Sequence, residues 1–418
     1  MNIMFRTSAD VPSVLVIGAG MYVCGRGTQG FGTILPTLVE EQSKGKVGEI
    51  WIAATSYASG VELTRKLDGI NARLGTKGCV RLLPQGKKRD PLSYRHALKS
   101  MPRPACVIIS APDSCHAAMS RDVIEAGLHL LVVKPLTPTL AENKMLVELC
   151  DQHGIYGAVE FHKRFDESNL LMRQEVLGGR LGTLLYSVVE YSQRRQMREI
   201  FSAWQQKTNI FQYLGVHYAD LIHFVTGAFP RRVVAVGQKS GEFPGESSWD
   251  SIQAFVEWES PKTRKVFNSV IATSWIDPDA TSAMSDQKIV IVGTKGRYQA
   301  DQKNRGVQLV TERGIEEINP YFSQMYPGAD GAIGIRGYGP ASIRQFFEDV
   351  KLLLRDPGVR GELVASRPSF HQAMVSTSVI DAANQSLERG GLWVECDTVA
   401  QARKASPGRF DKIRRVCA

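Results

Sequence analysis

Leu130-Leu131-Val132-Val133-Lys134-Pro135 is a short, β-branched, uncharged run that stops on a lysine, and a proline follows at once. Such a run reads as a strand buried on both faces of a parallel sheet. Pro135 cannot donate to a ladder, so it ends the strand. Lys134 is thereby fixed at the carboxyl end of a core strand, the edge where open α/β sheets bind ligands. The alternative for a lysine in that place is a side chain that snorkels from the strand end to water.

Outward from this run the same texture repeats. Upstream, 105–109 is another apolar strand, followed by a loop through Pro112 and a helix near 116–126. At the start, Val14-Leu15-Val16-Ile17 runs into Gly18-Ala19-Gly20, with a helical stretch around 33–41 and a second strand at 49–54. Downstream, 140–153 reads as a helix closed by Gly154 as its C-cap, and 155–161 as the last strand. Strands alternating with helices predict βαβ units, a parallel sheet and right-handed crossovers.

After about residue 165 the texture changes. Strand-like runs at 184–191, 232–236, 252–258 and 266–274 follow one another without helices between them. This pattern predicts an α+β domain with a large, mainly antiparallel open sheet. The stretch 241–250 is a loop, and 321–340, rich in Gly, Pro and Tyr, is expected to be a long ordered loop or lid. Periodicity predicts helices at 342–355 and 369–389, and the basic tail from Gln401 is expected to be loosely held. The two expected domains are 1–162 and 163–418.

Composition excludes several classes. The 418 residues are 43% hydrophobic and 22% charged, ordinary for a globular chain with ample core. No run approaches the roughly 18 apolar residues that span a bilayer, and 1–10 lacks the apolar core of a secretory signal. The seven cysteines are scattered and include no Cys-x-x-Cys. That argues against a disulfide framework and a metal site, and for a reducing cytoplasm. Net charge is +9, but the basic clusters (Lys87-Lys88-Arg89, Arg194-Arg195, Arg414-Arg415) do not interleave with aromatics. Solvated surface charge is therefore expected rather than nucleic-acid or membrane partners.

Gly18 and Gly20 follow a strand, as a dinucleotide-binding turn requires: one glycine for the tight turn, one for close approach to a pyrophosphate. Val23 stands where the motif wants a third glycine, and Met21 to Gly32 is glycine-rich and longer than a normal turn. A glycine-rich surface loop is the alternative. The second strand runs into Thr55-Ser56-Tyr57 with no acid to accept the adenosine ribose hydroxyls. Thr55 and Ser56, with Arg65 and Lys66 a helical stretch later, favour a 2′-phosphate, hence NADP over NAD. Otherwise Thr55 and Ser56 are simply turn residues.

The chain resembles the Gfo/Idh/MocA oxidoreductases, relatives of glucose–fructose oxidoreductase and inositol 2-dehydrogenase. The resemblance is carried, in order, by 14–20, Val-Ile-Ile-Ser-Ala-Pro-Asp-Ser-Cys-His at 107–116, Ala-Gly-Leu-His-Leu-Leu-Val-Val-Lys-Pro-Leu at 126–136, Val-Glu-Phe-His-Lys-Arg-Phe at 159–165, Gly-Val-His-Tyr-Ala-Asp-Leu-Ile-His-Phe-Val-Thr-Gly at 215–227, and 379–394. It implies an N-terminal Rossmann domain for NAD(P), and a C-terminal sheet that walls the substrate and joins a homodimer or homotetramer. It implies cofactor contacts at Gly18, Gly20, Met21 and Tyr22, and at Ser110, Ala111, Pro112, His116 and Lys134.

The family's Glu-Lys-Pro lysine corresponds to Lys134, whose cation stabilises charge developing on the reacting oxygen. The family's glutamate is Val133 here. The family's histidine corresponds to His217, which exchanges the hydroxyl proton; a core histidine is the alternative. Where many relatives carry aspartate, this chain has Tyr213, four residues before His217 and so on the same helix face. Tyr213 then assists proton transfer or only shapes the pocket. Asp220 orients substrate or caps polar groups, and His223 is structural. Arg164 faces cofactor or substrate, or belongs to a surface charge cluster. Trp204 stacks on a sugar or packs in the core. The implied activity is hydride transfer between a nicotinamide and a sugar, glycoside or cyclitol. Rivals are a non-catalytic sugar- or nucleotide-sensing regulator, and a sugar–sugar oxidoreductase with tightly bound cofactor.

Overall fold

The structure, a computed structural model, describes residues 11–86, 89–201, 207–241 and 248–397. Trp204, Lys87, Lys88 and the tail from Gln401 lie outside the described residues. The chain forms two compact units. One joins the chain through Glu167 with Asn319–Ala373, and the other joins Ser168–Ile318 with the chain from Met374. A single boundary at 162/163 does not capture this division, because 319–373 returns to the first unit.

The first unit runs β1 (Ser13–Ile17), α1 (Met21–Cys24), α2 (Ile34–Ser43), β2 (Ile50–Ala53), α3 (Tyr57–Leu74), β3 (Val80–Leu83), α4 (Ser93–Ser100), β4 (Ala105–Ile109), α5 (His116–Glu125), β5 (His129–Val133), α6 (Leu140–His153) and β6 (Gly157–Glu160). All six strands pair in parallel, in the order β3-β2-β1-β4-β5-β6. This is the doubly wound Rossmann order. The charge-free runs of β1 and β4 are wholly buried, as a sheet covered by helices on both faces demands. Local chemistry sets the ends of α6: the Thr139 hydroxyl accepts from the Glu142 backbone N–H, and Gly154 closes the helix in the left-handed region at φ 67°.

The second unit contains α7 (Glu167–Leu177), β7 (Leu184–Arg194), α8 (Gln196–Ile200), a π-helical turn (Phe211–Gly215), α9 (Val216–Thr226), β8 (Phe229–Gln238), β9 (Ser251–Glu259), β10 (Val266–Asp277), β11 (Ser285–Gly293) and β12 (Gly296–Asp301). Its sheet is ordered β12-β11-β7-β10-β9-β8 and ends in the short strand Val394–Glu395. β7 and β10 pair in parallel; every other pair is antiparallel. Helices do separate β7 from β8, contrary to the expectation of uninterrupted strands. β9 and β10 alternate buried and half-exposed residues, so one face packs and the other stays partly open. Trp258 and Trp275 are wholly buried, and the Trp258 indole donates to Ser269 Oγ at 2.7 Å. No helix among the described residues is long and apolar enough to cross a membrane.

The returning segment is more ordered than a loop. It forms the hairpin Gln324–Pro327/Ile333–Arg336, α10 (Tyr338–Arg355) and α11 (Arg360–Ser366) before α12 (Phe370–Glu388) carries the chain into the second unit. Arg344 on α10 anchors it. Its guanidinium donates to Glu41 at 2.8 Å, to Glu40, and to the Ile335 carbonyl at 2.9 Å. Burial pushes the Glu41 carboxyl up, but the hydrogen bond and charge of Arg344 outweigh it and hold the group below its ordinary value.

Replacing Arg344 with Met leaves the buried Glu40 and Glu41 only the half-exposed Lys44 and Lys46 as cationic partners. Urea unfolding at neutral pH should show a loss of about 3 kcal/mol. A depressed folded pKa stabilises above the unfolded value and stops doing so as pH falls through the folded one. The difference between wild type and variant should therefore shrink on acidification below about pH 4.

Candidate functional site

The strand order reverses between β1 and β4, so the turns leaving those strands flank a crevice at the carboxyl edge of the sheet. Gly18 ends β1 with φ 119°, and a Cβ there would lie 2.0 Å from the Ser110 carbonyl oxygen. Only glycine permits this approach. The Gly18 N–H donates to Ala53 and the Ser110 N–H to Ile17, both at 2.8 Å. Gly20 is different: a Cβ would meet nothing within 4 Å. Its α-carbon, at the N-cap of α1, borders open space. Met21 and Tyr22 begin that four-residue helix.

The glycine-rich stretch after α1 is a folded insert. A Cβ on Gly25 would lie 2.0 Å from the Gly30 carbonyl oxygen. From α3, Lys66 donates to the Thr28 and Gly30 carbonyls at 2.7 and 2.6 Å. Arg26 donates to Ser59 Oγ at 2.9 Å and pairs with Glu62 at 3.5 Å. Lys66 is thus buried in holding the insert, not displayed beside β2 as expected. Arg26, which the sequence did not single out, holds a cation near the end of β2. Ser59 also lies 3.2 Å from Ser56 Oγ. Thr55 is exposed and its carbonyl accepts from Asp90 at 3.1 Å.

At the end of β4, Ser110, Ala111 and Pro112 are partly exposed. His116 is buried, with Nε2 2.9 Å from the Ala111 oxygen and Nδ1 2.8 Å from the Pro135 oxygen. It braces the two turns that follow β4 and β5. Lys134 stands just past β5, partly exposed. Burial lowers its pKa to about 7, against the raising influence of Glu160 and Asp113. Glu160 ends β6 in register with Val133 and is fully buried. Its Oε2 accepts from His162 Nδ1 at 2.9 Å. Aromatic rings surround that imidazole, with centroids at 6.2 Å for Tyr22, 5.2 Å for Phe322 and 5.6 Å for Tyr338. The sequence offered one signal for Glu160, an acid inside an apolar strand.

In the second unit, His217 and Asp220 lie on α9, 3% and 2% exposed. The His217 ring lies 6.1 Å from that of Tyr191. Tyr213 sits in the π-turn, a wider spiral than the plain α-helix behind the expected i, i+4 alignment. Its ring meets Phe201 edge-on at 5.0 Å. Burial, partly offset by a hydrogen bond with Gln193, pushes its phenol up to about 12. His223 faces the Ala228 carbonyl at 2.8 Å beside the helix end, a structural position. Arg164 belongs to the first unit, where it is buried, bonded to Gln372 and 5.6 Å from the Phe161 ring centroid. These contacts replace the surface cluster that was its alternative. Trp204 lies outside the described residues.

Comparison with known proteins agrees with this architecture. Residues 88–161 match the family model described as an oxidoreductase family with an NAD-binding Rossmann fold, and 170–299 match the GFO/IDH/MocA C-terminal domain. An uncharacterised oxidoreductase of Schizosaccharomyces pombe is 26% identical over 48% of this chain and 55% of its own length. The NADP(+)-dependent scyllo-inositol 2-dehydrogenase IolW of Bacillus subtilis is 28% identical over 31% of this chain and 36% of its own. The chain thus spans between about a third and just over half the length of these relatives. An inositol dehydrogenase homologue from Azotobacter vinelandii, solved with NADH and myo-inositol, superimposes with a TM-score of 0.65 at 18% identity, covering 93% of this chain and 99% of that one.

The two glycines of the turn should separate in experiment. Gly18→Ala, forced against the Ser110 carbonyl, should lower the thermal midpoint by several degrees or prevent folding. Gly20→Ala, facing open space, should melt close to wild type in the same circular-dichroism scan.

Proposed function

Because the chain belongs to the GFO/IDH/MocA oxidoreductase family, we propose that it is an NAD(P)-dependent dehydrogenase or reductase acting on a secondary alcohol or ketone of a sugar or cyclitol. The observation that carries this reading is Lys134 at the carboxyl edge of the sheet, one strand beyond the switch point. A dinucleotide fits the residues there. Gly20 leaves room for a pyrophosphate, and the turns at 18–22 and 110–112 would hold it. When bound, the nicotinamide supplies the carbon that accepts or gives hydride.

The chain's own groups handle charge and proton. The Lys134 ammonium stabilises negative charge on the reacting oxygen. His217 takes the hydroxyl proton in oxidation and returns it in reduction. Tyr213, kept protonated by burial, shapes the pocket or donates a hydrogen bond, and Asp220 orients substrate. NADP is the favoured cofactor. Thr55 and Ser56 offer hydroxyls where an acid would repel a phosphate, and Arg26 supplies the nearby cation. The myo-inositol in the Azotobacter vinelandii structure supports the substrate class; on the cofactor the relatives divide, the Bacillus subtilis enzyme being NADP(+)-dependent and the Azotobacter vinelandii structure holding NADH. Tyr186 and Val188 are exposed on the same face of β7, and this apolar pair supports a homo-oligomer through the second sheet.

Three measurements test the proposal. Reduced-nicotinamide absorbance should rise when the protein meets NADP and a panel of cyclitols and sugars; no turnover with any of them overturns it. Lys134→Met should cut kcat by about 10²–10³-fold, a far larger loss than any change in dinucleotide affinity. Wild type should show the higher kcat/KM with NADP, and Arg26→Ala should lower that value by about 10-fold or more while sparing NAD.

A further inference from the structure

Lys134 is flanked by acids from both neighbouring strands. Asp113, in the turn after β4, and Glu160, closing β6, both favour its charged form. The two acids differ in how they are held. Asp113 Oδ1 is already used by the Ser114 backbone N–H at 2.8 Å. Glu160 is 0% exposed and ends a strand whose other members are Gly157, Ala158 and Val159. A carboxylate buried there is unfavourable without a cation, and an apolar residue of similar shape would cost the fold less. His162 Nδ1 orients one of its oxygens. The other oxygen and the Tyr22 hydroxyl are both buried without a hydrogen bond of regular geometry. Burial and this acid together push the Tyr22 phenol well above its ordinary value, so it stays neutral.

We propose that Glu160 is a positioning residue that keeps the Lys134 side chain protonated and directed at the carboxyl edge of the sheet. It does from β6 what an acid at position 133 would do from β5. Val133 and Glu160 are registered partners on adjacent parallel strands, so Glu160 stands one ladder away from position 133. The catalytic side of this inference rests on the reading that Lys134 meets the reacting oxygen; the coupling itself does not. Burial alone drives the lysine toward the neutral amine, which cannot stabilise an oxyanion. The charged groups that favour its ammonium include Glu160 from the β6 side and Asp113 from the β4 side. Tyr22 and His162 in turn interact with Glu160.

The test reads the Lys134 charge without turnover. The full-length protein is pulse-labelled with acetic anhydride across a pH series, and acetylation of Lys134 is followed by peptide mass spectrometry. The wild-type midpoint should lie at about 7. Glu160→Gln should lower it by about one unit or more, because the neutral amide no longer favours the ammonium, and Glu160→Asp should bring it back toward wild type. An unchanged midpoint in a folded Gln variant overturns the proposal. Should that variant not fold, Asp113→Asn decides. A midpoint near wild type leaves the role with Glu160, and a fall of a full unit (about what one close charge supplies) transfers it to Asp113. In turnover assays the basic limb of kcat/KM should move to lower pH in Glu160→Gln by the same interval. A labelling shift in a protein without turnover upholds the coupling and sinks the oxidoreductase reading. Turnover with no labelling shift does the reverse.

Discussion

An ammonium at the rim of an otherwise apolar sheet must be compensated from close by. In this protein that requirement organises the carboxyl edge of the first unit. Parallel pairing of β4, β5 and β6 sets the three strand ends side by side. Each end then contributes one charged group: Asp113, Lys134 and Glu160. Because the strands are buried, their spacing cannot relax without breaking ladder hydrogen bonds. The charges are therefore held by backbone geometry more than by side-chain choice. The aromatic cage around His162 extends the same logic outward, since it takes Phe322 and Tyr338 from the returning segment.

The neighbouring crevice depends on a different constraint, close backbone approach. Gly18 lets the first turn lean against the Ser110 carbonyl, which keeps β1 and β4 adjacent up to their ends. The insert after α1 would be a floppy addition if left alone. Lys66 prevents this by satisfying two of its carbonyl oxygens from α3. A buried lysine with two carbonyl acceptors has its hydrogen bonding largely met, so its cost is moderated and the loop gains a fixed shape.

Much of the first unit was legible in the sequence because its signals are local. Charge-free runs marked β1, β4 and β5, Pro135 marked the end of β5, and Gly154 marked the end of α6. What the sequence hid was tertiary. Lys66 and Arg26 carry the same charge, and only folding of the insert onto α3 decides which one is buried. Helix α9 was poorly marked because Val216 through Ile222 are all buried, so the polar face that gives a helix its period is missing. The hairpin at 324–336 was masked by Gly, Pro and Tyr, which suit both loops and tight hairpins. Arg164 could be read in sequence as facing a ligand or as surface charge; Gln372, some two hundred residues later, makes its buried place tenable. The Rossmann order and the mainly antiparallel second sheet agree with the expected fold, and the family resemblance agrees with both matched family models.

The chain reaches Ile318 before the last part of the first unit, 319–373, has been made. On a ribosome, the β12-to-β8 sheet is therefore nearly whole while Glu40 and Glu41 still await their arginine. The nascent amino-terminal half must wait through the synthesis of about 150 residues, a delay of order ten seconds at usual translation rates. The entropy of closing so long an excursion grows only logarithmically, so the delay is kinetic more than thermodynamic. During that interval the helical flank destined to meet α10 stays uncovered, leaving its apolar face open to wrong pairing.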